Sequence, residues 1–501
     1  MILQLVLIAS LPVFTRSMER VNTLDPLRSQ SVYDSRVIQL IHETPLQIDY
    51  YARPYKLIPG VCNLPSVSED GLTYSLSMIP DTTLTASDVE RSMLRLMDKA
   101  NASPGSWTMR NVESINVVNS RELKIRLKKR QHVFPWMLAM SYMALSGPGG
   151  ELTGPYCLTK WRKNHEMVFE RNKSWRGWNA PASLSPASVP YEKIRYLVID
   201  DVSTQWLMFL RGELDFLGEI SRDNWDAVIA GDGELSDDLV KRGIRLYSSN
   251  MMDIRYMGMN MRDKTLGGNK KLRQALCAAF DSKAWCKFFN NRVSPADGAV
   301  PPGIDGRLET PYAYSYNIEK ARKLLAEAGY VDGIDKETKR RLTIKMAIGR
   351  ASQDSREAGE LMASFYEKIG IKLELQFHTW EAFLKAVNEG RVQLYMMGWV
   401  GDYPDAENFL QLFHSANSSP GPNHSCYENA EFDREYDAAM NCTSREERNR
   451  HWLRCQEIVR EDAPWIFAHY TKSYSLSHSE VHNYVPGDFP YGQEKHLRYL
   501  K

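Results

Sequence analysis

The chain has 501 residues and a mass of 57.5 kDa, which is more than one hydrophobic core accommodates, so we expect two or three packed units. It carries 63 Lys and Arg against 62 Asp and Glu, and the resulting net charge of +1 gives no electrostatic footprint for nucleic acid or an anionic membrane. A hydrophobic fraction of 43% and a mean hydropathy of −0.44 exclude a disordered chain and a multispanning membrane protein.

The first apolar stretch, residues 2–14, is too short to span a membrane. Two interpretations stay open for it. It resembles the apolar region of a secretory signal without the usual basic leader, or residues 3–10 form the first buried strand. The seven cysteines show no C-x-x-C pair and no zinc-type spacing with histidine, so we expect buried thiols, at most one disulfide and no metal site.

The first half of the chain reads as short strands and loops. Residues 74–78 and 122–127 alternate between apolar and polar side chains, which predicts two strands. Thr85 is placed to cap a helix that continues to Met97, and the aromatic-rich stretch 134–142 predicts a further helix.

The second half alternates strands and helices. The patterns predict a helix between Asn317 and Gly329, a strand over 342–348, a helix from Ser355 to Gly370, a strand over 371–377, a helix from Thr379 to Gly390 and a strand over 392–399. This order is typical of a parallel sheet covered by helices on both faces. Residues 256–470 are therefore expected to form an α/β lobe of their own.

The last of these strands leads into an unusual loop, residues 398–409, at the end of the sheet where open α/β proteins bind ligands. It contains three carboxylates, two large aromatic residues and two glycines that let backbone approach a ligand closely (Asp402, Asp405, Glu407, Trp399, Tyr403, Gly398 and Gly401). The residues alone leave three interpretations open: turns around Pro404, a ligand site, and a carboxylate pair for glycoside hydrolysis. The sequence has no nucleophile elbow, zinc-protease motif, phosphate loop or dinucleotide fingerprint.

Six motifs in a fixed order resemble the peptide-binding proteins of ABC importers, the extracytoplasmic solute-binding protein family 5. They are Leu24-Asp25-Pro26; Asp70-Gly71-Leu72-Thr73-Tyr74 with Thr85-Ala86-Ser87-Asp88-Val89; Thr153-Gly154-Pro155-Tyr156 with Trp161 and Arg171-Asn172; Arg273-Gln274-Ala275-Leu276 with Ala279 and Asp281; the helix from Asn317 to Tyr330; and Gly398-Trp399 with Asp402 and Asn408-Phe409. The resemblance covers nearly the whole chain.

The resemblance implies an α/β fold of two lobes, the type II periplasmic binding protein fold, with an extra subdomain in the first lobe. The first lobe is expected over residues 1–254 plus 471–501, with the inserted subdomain at about 45–150. The second α/β lobe is expected over residues 255–470.

The resemblance also implies ligand-binding roles and no catalytic residue. Asp402 is expected to hold the α-ammonium of a peptide, with Trp399, Gly401 and Tyr403 beside it. Trp380, nineteen residues before Trp399, has the spacing of the second pocket tryptophan in the family. Arg350 is expected to hold the peptide carboxylate, with Arg356 as its competitor. Met396 stands where binders of longer peptides carry a basic residue, which favours dipeptides.

By the same resemblance, we expect a monomer that captures short peptides between closing lobes and delivers them to membrane permease subunits, outside the cytoplasm and without cofactor or nucleic acid. Three alternatives stay open. The fold could take non-peptide cargo (nickel chelate, haem, a sugar or an opine), it could serve signalling or chaperoning, or the carboxylates could belong to a hydrolase.

Overall fold

The computed structural model describes residues 12–29, 31–147, 149–178, 188–221, 224–230, 233–350, 352–419, 421–489 and 492–500. The chain divides into two compact units, of which one comprises Met1–Ser249 and Ser473–Lys501 and the other Asn250–Lys472. The sequence places these boundaries at 254/255 and 470/471, within a few residues of the observed ones. The interpretation of residues 3–10 as a strand lies outside the described residues.

The first unit is built on a mixed sheet. Val13–Met18 pairs in parallel with Lys193–Val198, and the sheet continues through antiparallel strands to Tyr156–Arg162. Its described strands are Val13–Met18, Leu46–Ile48, Leu57–Pro59, Ser66–Val67, Thr73–Ser77, Val112–Asn119, Glu122–Leu127, Tyr156–Arg162, Glu166–Arg171, Val189–Pro190, Lys193–Val198, Phe216–Leu217, Arg245–Asn250, Val481–His482 and Arg498–Tyr499. Its described α-helices are Val32–Ile41, Ala86–Met97, Phe134–Met137, Val202–Leu210, Trp225–Val228 and Asp237–Lys241.

Within the region predicted as an inserted subdomain, four strands form a separate antiparallel sheet. The two predicted strands are confirmed as Thr73–Ser77 and Glu122–Leu127, which pair with each other. The predicted cap is also confirmed, because the backbone N–H of Thr85 donates to the Asp88 carboxylate at 2.8 Å in a capping box.

The helix predicted over 134–142 is wrong in its length. The α-helix is only Phe134–Met137, and a separate 3₁₀ turn covers Ser141–Met143. Met140, with ψ of 155°, has extended backbone and separates the two. The apolar pattern of this stretch therefore reflects the burial of Phe134, Met137 and Leu138 rather than a continuous helix.

The second unit contains the predicted run of strands and helices. Its strands are Asp253–Met259, Val293–Pro295, Tyr330–Val331, Ile334–Asp335, Thr343–Ile348, Lys372–Phe377, Leu394–Val400 and Trp465–Ser477, the last of which continues into the first unit. Its α-helices are Lys270–Ala279, Ser282–Phe288, Ile318–Glu327, Gln353–Glu367, Trp380–Asn388, Glu407–Leu410, Ala430–Asn441 and Arg445–Asp462.

The central sheet of this unit is mixed rather than wholly parallel. Thr343–Ile348 lies between Lys372–Phe377 and Leu394–Val400 and pairs in parallel with both, as predicted. Asp253–Met259 lies next to Leu394–Val400 and pairs with it in the antiparallel sense. On its other side, Asp253–Met259 pairs with Trp465–Ser477, also in the antiparallel sense. A contiguous cluster of buried apolar side chains includes residues of all five of these strands. No helix in the described part of the chain is both long and apolar enough to cross a membrane.

Candidate functional site

Two neighbouring parallel strands bring the predicted binding residues to one edge of the second unit. In the register of Thr343–Ile348 and Leu394–Val400, Ile348 lies opposite Met396. Because the carboxyl ends of parallel strands meet at the same edge of a sheet, Arg350 after the first strand and Asp402 after the second emerge on the same side. This edge is where the sequence predicts a ligand.

The loop after the second strand is organised by one buried amide, Asn408, which is fully inaccessible to water. Its side-chain oxygen accepts hydrogen bonds from the Trp399 indole N–H at 2.9 Å and from the Asp402 backbone N–H at 3.0 Å. Its Nδ2 donates to Asp402 Oδ2 at 3.4 Å. A single side chain thus sets the positions of both predicted ligand residues.

Asp402 carries a charge that nothing described around it neutralises. Its side chain is exposed, and among the described residues no lysine, arginine or histidine lies within ion-pair distance of its carboxylate. Enough protein surrounds the carboxylate that desolvation raises its pKa to about 6, while the Asn408 hydrogen bond opposes the shift. The binding of a cationic group would therefore stabilise the charged form of this carboxylate.

Close packing requires a glycine at position 401, directly before Asp402. Its N–H donates to the backbone oxygen of Met252 at 2.7 Å. A Cβ atom at this position would lie 2.8 Å from the Met252 side chain and 2.9 Å from the ring of Phe409. The described contacts of Gly401 are therefore with the protein itself.

Tyr403 also faces inwards, with only 2% of its surface exposed. Its hydroxyl donates to Glu407, whose second carboxylate oxygen accepts from the hydroxyl of Tyr436. Burial, and to a smaller extent the Glu407 charge, raises the pKa of Tyr403 well above its ordinary value. The Tyr403 side chain is therefore part of the interior of the unit rather than a ligand contact.

The two predicted tryptophans differ in exposure. Trp399 is half-buried and bonded to Asn408, whereas Trp380, at the start of its helix, is 55% exposed and stacks on Phe383 with ring centres 5.5 Å apart. Trp380 also lies against Gly349, where an added Cβ would be 2.9 Å from its ring. Its aromatic surface therefore adjoins the backbone that leads to Arg350.

Of the two candidate arginines, Arg350 is the one left available. It is exposed, and its side chain has no hydrogen bond or ion pair among the described residues. Arg356, the competitor, lies in the first turn of Gln353–Glu367 with its guanidinium 4.8 Å from the ring centre of Phe377. Of these two arginines, Arg350 is thus the one whose side chain has no described partner.

Sequence reasoning missed the role of Asn408, although that residue stands in the motif that carries Asp402. It also missed Arg255, which lies opposite Gly398 in the antiparallel pairing. A Cβ at position 398 would meet the Arg255 guanidinium at 2.5 Å, and Arg255 Nε lies 3.4 Å from the buried Asp253 carboxylate. This neighbour follows from strand pairing, which no local pattern shows.

The chain is similar to a family of known proteins over most of its length. The family described as bacterial extracellular solute-binding proteins, family 5 Middle, matches residues 56–420. Heme-binding protein A of Haemophilus influenzae is 23% identical over 477 residues, which cover 86% of this chain and 82% of that protein. The dipeptide-binding protein of Escherichia coli K12 is 23% identical over 511 residues, which cover 91% of this chain and 88% of that protein.

A solved structure has the same fold. The ABC transporter-associated periplasmic binding protein from Helicobacter pylori, in complex with the peptide STSA, has a TM-score of 0.77 at 21% identity, and the match covers 98% of each chain. The predicted two-lobe α/β architecture of periplasmic binding proteins is therefore confirmed.

Proposed function

Because the chain belongs to the bacterial extracellular solute-binding proteins, family 5, we propose that it captures short peptides, dipeptides foremost, for an ABC importer. The chain is a solute-binding protein of the ABC-importer type and not an enzyme, as its relatives are binding proteins. The hydrolase alternative finds no support among them.

The observation that carries the peptide proposal is the unneutralised carboxylate of Asp402. A peptide offers an α-ammonium group, which supplies the missing cation, and an α-carboxylate, which Arg350 at the same sheet edge can bind. Charged hydrogen bonds of this kind contribute about 1.5–3 kcal/mol each. Together they would recognise both ends of a zwitterion and so select short peptides over neutral solutes.

The aromatic side chains at this edge suit the rest of such a ligand. Trp380 presents a large exposed ring, and Trp399 a half-buried one beside Asp402. Aromatic faces bind apolar side chains of many shapes and also attract ammonium groups. Met396, partly buried against the core, adds no charge to the site, which is consistent with a short peptide.

Haem is the cargo named for one relative, but it matches the charges of this site less well. A haem has propionate carboxylates and no ammonium group. Arg350 could bind one propionate, while Asp402 would repel a second rather than bind it. The peptide proposal therefore accounts for both charged residues, and the haem alternative for one.

We further propose that the protein acts outside the cytoplasm and hands its peptide to the permease subunits of the importer. Both statements rest on the family and on its relatives, which include a periplasmic binding protein.

Calorimetric titration of the full chain with di- to pentapeptides tests the cargo, after unfolding and refolding to remove carried-over ligand. The wild-type protein should bind a dipeptide saturably, and Asp402→Asn should weaken binding about tenfold to 100-fold, as the loss of one charged hydrogen bond implies. Arg350→Met should weaken binding similarly, whereas Arg356→Met serves as the matched control and should bind as the wild type does.

Modified peptides test which residue binds the N-terminus of the ligand and which binds its C-terminus. An N-acetylated dipeptide should bind wild type and Asp402→Asn equally weakly, and a C-amidated one should do the same with Arg350→Met. Tight peptide binding that both substitutions leave unchanged would contradict the site. Binding of haem but of no peptide would contradict the cargo.

A further inference from the structure

A second group of chemically active side chains lies in the second unit at the turn between two long helices. Cys442, Glu447 and His451 each offer one donor atom, a thiol sulfur, a carboxylate oxygen and a ring nitrogen, and these atoms all lie within 4.8 Å of one another. Within the described part of the chain, this is the one cluster of at least three such side chains that meets this spacing. The peptide site uses none of the three.

Helix capping brings the three residues together. Cys442 is the residue at which Ala430–Asn441 ends, and its N–H still bonds to Ala438 at 3.1 Å. Ser444 then caps Arg445–Asp462 by accepting from the Glu447 N–H at 3.4 Å. Glu447 and His451, four residues apart, share one face of the new helix, directly after the turn that holds Cys442.

A carboxylate of the preceding helix also fixes the orientation of the His451 ring. Its Nδ1 lies 2.6 Å from Glu435 Oε2, a carboxylate of the preceding helix. When a carboxylate accepts the Nδ1 proton, the other ring nitrogen is left as an unprotonated donor, which is the arrangement that accompanies most metal-binding histidines. This contact is an observation independent of the cluster itself, and it too points to a metal ligand.

We propose that Cys442, Glu447 and His451 bind a zinc ion, with Glu435 as the positioning residue for His451. Thiolate, imidazole and carboxylate are the three donor types that zinc takes in proteins. Donors around a tetrahedral zinc ion lie roughly 3.3–3.8 Å apart, given Zn–S of about 2.3 Å and Zn–N of about 2.0 Å. Small side-chain rotations would therefore bring the observed cluster into coordination.

The binding step is balanced by simple proton release. Zn²⁺ replaces the proton of the Cys442 thiol, which passes to solvent, while the carboxylate and the neutral imidazole donate electron pairs without losing protons. Three protein ligands leave the fourth tetrahedral position to water. The ion would tie the end of one helix to the first two turns of the next.

Cobalt substitution of the reduced, chelator-treated full chain tests the site. Titration with Co²⁺ should give one equivalent bound, with intense tetrahedral ligand-field bands and a thiolate-to-cobalt charge-transfer band, and Zn²⁺ should abolish both. Cys442→Ser should remove the charge-transfer band. His451→Gln should weaken Co²⁺ binding at least tenfold, and Glu435→Gln about tenfold to 100-fold.

Cys157→Ser is the matched control, since Cys157 is also a partly buried free thiol but lies in the first unit. It should leave the spectrum unchanged. Should a substitution prevent folding, X-ray absorption of the zinc-loaded wild type still decides, with one sulfur in the coordination shell expected. A spectrum without charge transfer, a band that survives Cys442→Ser, or a shell without sulfur would each overturn the proposal.

Discussion

At the scale of single residues, the chemistry of the binding site depends on whether the Asp402 carboxyl is protonated or charged. The pKa of the carboxyl is raised to about 6 in the protein without ligand, because desolvation by the surrounding protein disfavours its charge and the Asn408 hydrogen bond compensates only in part. A bound ammonium group would stabilise the charged form and so lower this pKa. Any ligand that binds through this contact must therefore bind with a pH dependence.

We expect dipeptide affinity to be nearly constant between about pH 6 and 7, where the peptide ammonium is still charged, and to fall towards tenfold per unit as the pH drops below 6. The sign follows because ligand binding favours the ionised carboxyl, so protons and ligand compete below the pKa of the free protein. Peptide termini, with pKa values near 3.5 and 8, stay charged between pH 4.5 and 6.5. Calorimetry across this range measures the slope.

Asp402→Asn provides the comparison for this titration, since it has no proton to exchange at this position. Its weaker affinity should be flat over the same pH range. His469 does not interfere, because burial and then Arg255 lower its pKa to about 3. A wild-type affinity that does not change between pH 4.5 and 6.5 would contradict an ammonium contact with Asp402.

At the scale of elements, the loop after Leu394–Val400 depends on Asn408 as both acceptor and donor. Replacement of this residue by aspartate keeps the two bonds accepted from Trp399 and Asp402 but removes the bond donated to the Asp402 carboxylate. It also places a like charge beside that carboxylate, which raises its pKa.

Asn408→Asp should therefore shift the midpoint of the pH–affinity curve above 6, with a larger loss of affinity at pH 6.5 than at pH 8. Gln411→Glu is the matched control, because it adds the same charge near the loop from a side chain whose hydrogen bond among the described residues is to the Asn408 backbone oxygen. Its midpoint should stay near the wild-type value. An unchanged midpoint in Asn408→Asp would show that Asn408 does not set the Asp402 charge.

The elements that sequence predicts best are those with local signals. Thr85, Asn317 and Thr379 cap helices as predicted, because a cap depends on a side chain and the backbone three residues later. The helix predicted from Ser355 begins instead after Ser352, whose hydroxyl accepts from the Ser355 N–H at 3.3 Å. Two serines at cap spacing give the same pattern, and only the folded turn distinguishes them.

The parts of the site that the sequence does not show depend on contacts between residues that are far apart in the sequence. Arg255 reaches Gly398 across an antiparallel ladder, and Glu435 reaches His451 from a different helix. The inward direction of Tyr403 depends on a partner, Glu407, whose own position depends on the fold. Residue type and spacing predict which side chains carry the chemistry, whereas the packing decides which of them are exposed.

At the scale of the whole molecule, the chain forms two units with separate cores, and it passes between them near residue 249 and again near residue 472. From the start of alternating strands and helices near residue 255, the sequence predicts a boundary a few residues after the first of these passages. The predicted ligand residues all belong to the second unit, as does the proposed zinc cluster. Ligand binding should therefore register in the stability of the second unit.

Hydrogen exchange measured by mass spectrometry can locate that effect. With dipeptide at 100 times its dissociation constant, the native state gains about 2.7 kcal/mol, so amides that exchange through opening of the binding unit should slow about 100-fold. We expect this slowing in Thr343–Ile348 and Leu394–Val400, the two strands that end at the site. The N-acetylated dipeptide at the same concentration should slow them far less, because it cannot neutralise Asp402. Slowing confined to Met1–Ser249 would place the ligand elsewhere and contradict the assignment of Asp402 and Arg350.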